Sequence, residues 1–246
     1  MPTPDWSAAA APRPAASSNA SGHAAGNACL VSNGATRLPA ILFDLDGTLI
    51  DSIELILRSA RYAFQKLERE CPSDGEWLTG VGIPLFTMFE RYARDAADKA
   101  ALIAAYREYQ MEHHDQLIRC YDDVVETVLE LRARGHELAI VTSKSEYLAV
   151  RALNHVGLAR HIDTVVGCDG SSRHKPDPEP VLIALRRLGC APADAVFVGD
   201  SVHDMLAGNA AGVRSAAALW GPFARTDLEP GNPTTWLERI SDILVF

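Results

Sequence analysis

Ile41-Leu42-Phe43-Asp44-Leu45-Asp46-Gly47-Thr48-Leu49-Ile50-Asp51-Ser52 decides how the rest of the chain is read. An apolar run of strand type ends in two aspartates one residue apart, and a glycine and a threonine then lead into the start of a helix. In open parallel α/β sheets the reactive crevice lies outside the carboxyl ends of the strands. Two carboxylates held this close repel unless a cation sits between them or one is protonated. The stretch therefore predicts a hard divalent cation, Mg2+, and two carboxylates with unequal roles.

Upstream, residues 1–37 are rich in Ala, Ser, Pro, Gly and Asn and lack hydrophobic periodicity, so they are expected to form a disordered extension. Ala8-Ala9-Ala10-Ala11 stops at Pro12, which argues against a secretory signal; Arg13 and Arg37 among serines, with only Asp5 acidic, leave an organelle transit peptide open.

Downstream, Ile53, Ile56, Leu57, Ala60 and Phe64 recur at a helical period over 52–67. No strong strand follows before Arg119: Trp77 to Leu85 reads as a loop punctuated by Gly and Pro, and 85–93 and 96–118 read as helices. This is a helical insertion behind the first strand. Then strands and helices alternate. Strands are expected at 137–143, 164–167, 195–200 and 214–220, and helices at 123–134, 145–156, up to Leu188, at 204–211 and near 235–244, several of them closed by Gly135, Gly157 and Gly212. Such alternation means βαβ units and a parallel, Rossmann-like sheet.

The net charge of −9 argues against nucleic acid as the main partner. No apolar run reaches the roughly 20 residues of a membrane span. The five cysteines are odd in number and form no CxxC pair, which fits reduced thiols and a cytoplasmic protein better than a disulfide framework or a zinc site. His113-His114-Asp115 looks like a metal cluster, but neighbours on a helix face different directions, so a polar helix face is the better reading. Trp77, Phe86 and Phe89 read as packing residues of the helical insertion or its hinge.

Four groups of polar residues fall at expected strand ends: Asp44/Asp46, Thr142/Ser143, Lys175, and Asp200 with Asp204. Parallel strands share one such edge, so these groups can converge. Carboxylates from two strands, Asp44 and Asp200, can hold a metal, while two hydroxyls and a lysine suit the outer oxygens of a phosphoryl group. Thr142 and Ser143 could also serve as helix caps, and Asp204 as a first-turn helix charge.

In order, spacing and strand context these groups resemble the four motifs of the haloacid dehalogenase (HAD) superfamily, over about residues 39–246. The chain is most similar to the phosphoglycolate phosphatase branch and its PpaX-type pyrophosphatase relatives, on Gly82-Ile83-Pro84-Leu85, Lys175-Pro176-Asp177-Pro178-Glu179-Pro180, Gly199-Asp200-Ser201 and Asp204-Met205. The resemblance implies an α/β core over 38–57 and 121–246, with a small helical cap over 58–120 that selects the substrate. It implies Asp44 as nucleophile, giving an aspartyl-phosphate, and Asp46 as acid and base. Mg2+ would be held by Asp44, Asp200 and the backbone carbonyl of Asp46, with Asp204 supporting that shell through water or Lys175. Thr142, the Ser143 amide and Lys175 would bind the phosphoryl group.

The expected enzyme hydrolyses a small phosphorylated metabolite, 2-phosphoglycolate foremost, as a monomer or homodimer. Inorganic pyrophosphate is the alternative, and a non-catalytic phosphate-binding regulator on the same fold is the reading of another class. One departure stands out: where the family carries Pro-Gly before the helix leading to the second strand, this chain has Cys120-Tyr121-Asp122-Asp123, which bears on a turn and the hinge.

Overall fold

The structure is a computed structural model that describes residues 38–246; the extension over 1–37 lies outside the described residues. The first half runs β1 (Ala40–Phe43), β2 (Ile50–Asp51), α1 (Ile53–Lys66), α2 (Asp74–Leu78), α3 (Leu85–Glu90), α4 (Ala96–Leu117), β3 (Arg119–Cys120) and α5 (Val124–Arg134). The second runs β4 (Leu138–Val141), α6 (Glu146–His155), β5 (Thr164–Val166), α7 (Glu179–Leu188), β6 (Ala195–Gly199), α8 (Val202–Ala211), β7 (Arg214–Ala218), α9 (Arg225–Leu228) and β8 (Thr235–Leu237), with single 3₁₀ turns between.

The main sheet has six strands in the order β5-β4-β1-β6-β7-β8, all parallel. β1 sits inside it because every residue from Ala40 to Phe43 is apolar and buried, as a strand covered on both faces requires. The period of two then divides the core. Ile41 and Phe43 join Ile140 and Val198 in one apolar layer; Ala40 and Leu42 join Val141 and Phe197 in the other, under α7 and α8. After β5 the chain crosses β1 to lay down β6, so the sheet changes direction around β1, where crevices form in such folds.

The insertion builds a second apolar cluster from α1 to α4. Ile56, Leu57, Phe64, Trp77, Phe89 and Tyr106 are buried there, with Trp77 and Phe89 ring centroids 5.1 Å apart. Trp77 and Phe89 are thus packing residues, as expected. Phe86 is not: it is exposed, its ring T-shaped to that of His174 at a centroid distance of 5.4 Å. The chain enters and leaves this layer through an antiparallel ribbon that pairs Ile50 with Cys120 and Asp51 with Arg119.

Three local expectations change. Residues 235–244 were expected to be helical, yet Thr235–Leu237 pairs parallel with β7, and only a 3₁₀ segment, Ile240–Val245, follows. Trp236, Ile240 and Ile243 carry a helical spacing, but Thr235-Trp236-Leu237 is β-branched and aromatic, and Arg239 is extended at φ −146°. Trp77 and Leu78, read as loop, end α2, which Ser73 caps by accepting a hydrogen bond from Glu76 N at 3.3 Å. His114 does not lie on a polar face: it is fully buried, with Nδ1 2.6 Å from Asp115 Oδ1.

At the departure noted above, Asp123 adopts φ +61°, a left-handed conformation in which glycine is unstrained and aspartate is merely tolerated. Its side chain makes no capping hydrogen bond to offset this. Asp123→Gly is expected to raise stability by about 0.5–1 kcal/mol, seen as a melting temperature about 1–4 °C higher; a lower one would mean Asp123 stabilises the turn in some other way.

Candidate active site

The end of β1 continues into a tight turn in which Ile50 N donates to Leu45 O and Gly47 N donates to Ile50 O, at 2.9 and 2.8 Å. The turn lifts Asp44 and Asp46 out at the carboxyl edge. Thr142 follows β4, Asp200 follows β6, and Lys175 lies in the loop after β5. The three central strands thus deliver side chains far apart in sequence to one place.

Four charged groups form a closed cluster there. Asp44, Lys175, Asp200 and Asp204 are 4%, 3%, 1% and 0% exposed. Lys175 Nζ donates to Asp204 Oδ1 at 2.6 Å and to Val141 O at 3.3 Å, and stands 3.0 Å from Asp44 Oδ1 as an ion pair outside hydrogen-bond geometry. Asp204 spends its other oxygen on Ser201 N and Ser201 Oγ, at 3.0 and 2.6 Å, in the capping box that starts α8. Asp200 Oδ1 accepts from Thr48 Oγ1 at 2.6 Å, while its Oδ2 is buried without a hydrogen bond.

Two glycines make room for Asp200. Gly47 has φ +90°, and a Cβ there would lie 2.2 Å from Asp200 Oδ2; one on Gly221 would lie 2.6 Å from Asp200 Cβ. Trp220 fixes this second loop by donating from Nε1 to Thr48 O at 2.8 Å.

One ammonium thus faces three buried carboxylates. Burial pushes Asp44 up to about 7, with Lys175 pulling the other way and Asp204 adding to the rise. Asp200 is raised well above the ordinary carboxylate range by burial and by the charges of Asp44 and Asp204. Burial would depress Lys175, but Asp204 and Asp44 outweigh it and hold the ammonium above its ordinary value. Asp44, Asp200 and Asp204 each offer an oxygen within 4.8 Å of the others. Since both Asp204 oxygens are taken, the oxygens without a hydrogen bond belong to Asp44 and Asp200. An all-carboxylate set carrying excess negative charge, with an orphaned buried oxygen, fits a hard divalent cation.

Asp46 belongs to a neighbouring group. Its Oδ1 accepts from Lys144 Nζ at 2.7 Å and from Ser52 Oγ at 2.5 Å. Ser52 precedes α1 and could have capped it; it makes no capping bond and holds Asp46 instead. Tyr106 of α4 lies near enough for the Asp46 charge to add to the burial that raises its phenol. A cleft opens over this group, lined on the sheet side by Asp44, Asp46, Thr142, Ser143 and Lys144, and on the helical side chiefly by Val81, Ile83, Leu85, Met88, and Tyr106, Arg107 and Gln110 of α4. Ser143 donates its hydroxyl to Gly82 O at 2.6 Å, tying the two sides together.

All seven residues singled out in the sequence therefore meet at this edge, in two groups: Asp44, Lys175, Asp200 and Asp204 below, and Asp46, Thr142 and Ser143 at the cleft. Lys144, Ser52, Arg107, Gln110 and Gly221 were not read as site residues. Ser52 and Lys144 adjoin the motifs; Arg107 and Gln110 carried only their three-residue spacing on a helix.

A buried carboxylate cluster thus lies at the carboxyl edge of a parallel sheet, beneath a helical layer, where α/β enzymes place their sites. Residues 41–218 match the family profile of the haloacid dehalogenase-like hydrolases. The chain belongs to that family, as a hydrolase of the phosphatase type. It is 40% identical over 211 residues to the pyrophosphatase PpaX of Bacillus velezensis, spanning 85% of this chain and 95% of the relative. To PpaX of Bacillus pumilus it is 37% identical over 209 residues, 85% of this chain and 96% of the relative. Among solved structures, a predicted phosphoglycolate phosphatase from Haemophilus somnus superposes with a TM-score of 0.79 at 25% identity, over 86% of this chain and 99% of the other. A predicted phosphatase from Clostridium acetobutylicum does so at 0.75 and 26%, over 84% and 97%.

Because Lys175 is the only cation within the closed cluster, Lys175→Met should cost about 3–5 kcal/mol of stability in chelator, read by denaturant unfolding, with added Mg2+ recovering part of the loss. A loss below about 1 kcal/mol would mean the carboxylates do not depend on it. The raised Asp44 also sets a direction for the wild type in chelator: folded Asp44 keeps its proton where the unfolded chain has lost it, so its contribution to stability falls as pH rises from 3.8 to about 7.

Proposed function

We propose that the protein is a Mg2+-dependent phosphatase acting on a small phosphate through an aspartyl-phosphate at Asp44. The observation that carries this is the convergence of Asp44, Lys175 and Asp200 into one buried cluster with Asp46 and Thr142 beside it. Asp44 and Asp200, with the backbone carbonyl of Asp46, would hold the Mg2+, which when bound neutralises the approach of two anions and stabilises the phosphoryl charge.

Asp44 Oδ attacks phosphorus, the Oδ–P bond forms and the bond from phosphorus to the leaving oxygen breaks. Asp46 gives its proton to that oxygen, then takes one from the water that attacks the aspartyl-phosphate, whose Oδ–P bond breaks as phosphate departs. Lys144 and Ser52 hold Asp46 in place for both transfers. Thr142, the Ser143 amide and Lys175 hold the phosphoryl oxygens, and Asp204 fixes Lys175 at 2.6 Å.

Residues 38–57 and 121–246 act as the core, and residues 58–120 as a cap that closes over the cleft. The separate apolar cluster of the helical layer and the two-stranded ribbon at its entrance and exit support that division. For substrate, relatives named as pyrophosphatases at 40% and 37% identity weigh toward inorganic pyrophosphate. The phosphoglycolate phosphatase reading rests on structural likeness. A cytoplasmic location, supported by the free Cys71, Cys120 and Cys168, accompanies this reading.

Pyrophosphate and 2-phosphoglycolate assayed with Mg2+ decide the matter: turnover of at least one is expected, lost on chelation. Asp44→Asn should lower kcat by roughly 10⁴-fold or more while the far-UV circular dichroism stays unchanged. Turnover in Asp44→Asn comparable with wild type would remove the nucleophile assignment, and absence of turnover in the wild type would favour the phosphate-binding regulator.

A further inference from the structure

The cleft contains a cation that the chemistry above does not use. Tyr106, Arg107 and Gln110 lie within about one turn of α4 and line the cleft together. Tyr106 and Gln110 are 3% and 4% exposed, so this part of the helix is anchored. Gln110 accepts from Arg107 Nη1 through Oε1 at 3.0 Å, which holds the guanidinium over the opening. Arg58, Arg61, Arg69 and Arg94 of the same helical layer each pair with a carboxylate. Arg107 has no ion-pair partner among the described residues, and it is the only arginine lining the cleft.

The other cations nearby are committed: Lys175 to Asp204 and Asp44, and Lys144 to Asp46. The rest of the helical side of the cleft is largely apolar, from Ile56, Val81, Ile83, Leu85 and Met88. A phosphate ester whose phosphorus faces Asp44 and whose leaving oxygen faces Asp46 must send the remainder of its leaving group into this space. A guanidinium with no carboxylate partner, set beside hydrocarbon, favours a planar or tetrahedral oxyanion that can take two parallel N–H donors.

Resting on the phosphatase reading above, we infer that Arg107 is the specificity-determining residue: it binds an anionic group on the leaving side of the substrate, so the enzyme selects small phosphates whose leaving group is itself an anion. Both a second phosphate and a carboxylate meet that description. Arg107 touches the part of the substrate that is not transferred, so its loss weakens substrate capture more than the chemical step.

The test compares wild type, Arg107→Gln and Arg107→Lys, all with Mg2+, on pyrophosphate, on 2-phosphoglycolate, and on 2-hydroxyethyl phosphate, which matches phosphoglycolate in size without the second charge. The readout is the ratio of kcat/KM for each anionic substrate to that for the neutral ester. In Arg107→Gln this ratio should fall roughly ten- to a hundredfold for whichever anionic substrate is the natural type, as loss of a charge-assisted hydrogen-bonded pair implies. Most of the fall should lie in KM, and Arg107→Lys should recover part of it. An equal loss on all three substrates, or a ratio unchanged within about twofold, overturns the inference and leaves the phosphatase reading standing. A wild type that hydrolyses none of the three takes both down.

Discussion

The ion pair of Lys175 with Asp204 and Asp44, beside Asp200, is the constraint on which the rest depends. One ammonium among three buried carboxylates leaves the site over-negative, and burial raises the pKa of both Asp44 and Asp200. Such an arrangement is costly to a fold by itself, because charges taken out of water must be compensated. On the function proposed above, it is a site held in readiness for charge from outside: a cation between Asp44 and Asp200, and a phosphoryl group beside Lys175. On that reading the excess negative charge would draw the cation, and the bound cation together with Lys175 would offset the charge of the phosphoryl group.

Much of the surrounding structure keeps those groups in register. Strands buried on both faces need alternating apolar residues, and Ile41/Phe43 against Ala40/Leu42 meet that need, so β1 cannot slip without exposing one set to the wrong layer. Gly47 and Gly221 let the backbone close to within a side chain's width of Asp200. Ser52 gives up capping α1 to hold Asp46, and Asp204 serves α8 and Lys175 at once. In each case a residue that local rules would assign to secondary structure is shared with, or taken by, the site.

The parallel core was legible in the sequence because burial on both faces makes its strands apolar, and because Gly135 and Gly212 end helices with positive φ. The convergence of Asp44, Asp46, Thr142 and Asp200 followed from strand ends, since parallel strands share one carboxyl edge, while Lys175 reaches it from the loop after β5. What escaped has physical reasons. β8 is three residues long and its apolar spacing also satisfies a helix; the β2–β3 ribbon is two residues on each side, below any period. Lys144 and Arg107 looked like ordinary cations, because nothing local reveals that one is ion-paired in the fold and the other left without a partner. His114 sits in a polar stretch, yet tertiary packing buries it.

A crystal structure of the protein with Mg2+ and beryllium trifluoride, a tetrahedral mimic of a phosphoryl group that bonds to carboxylate oxygen, tests the account most directly. The account predicts beryllium bonded to an oxygen of Asp44, a cation between Asp44 and Asp200, and Lys175 and Thr142 in contact with the fluorines. Beryllium on another residue, or a cation sited away from Asp44 and Asp200, would contradict it.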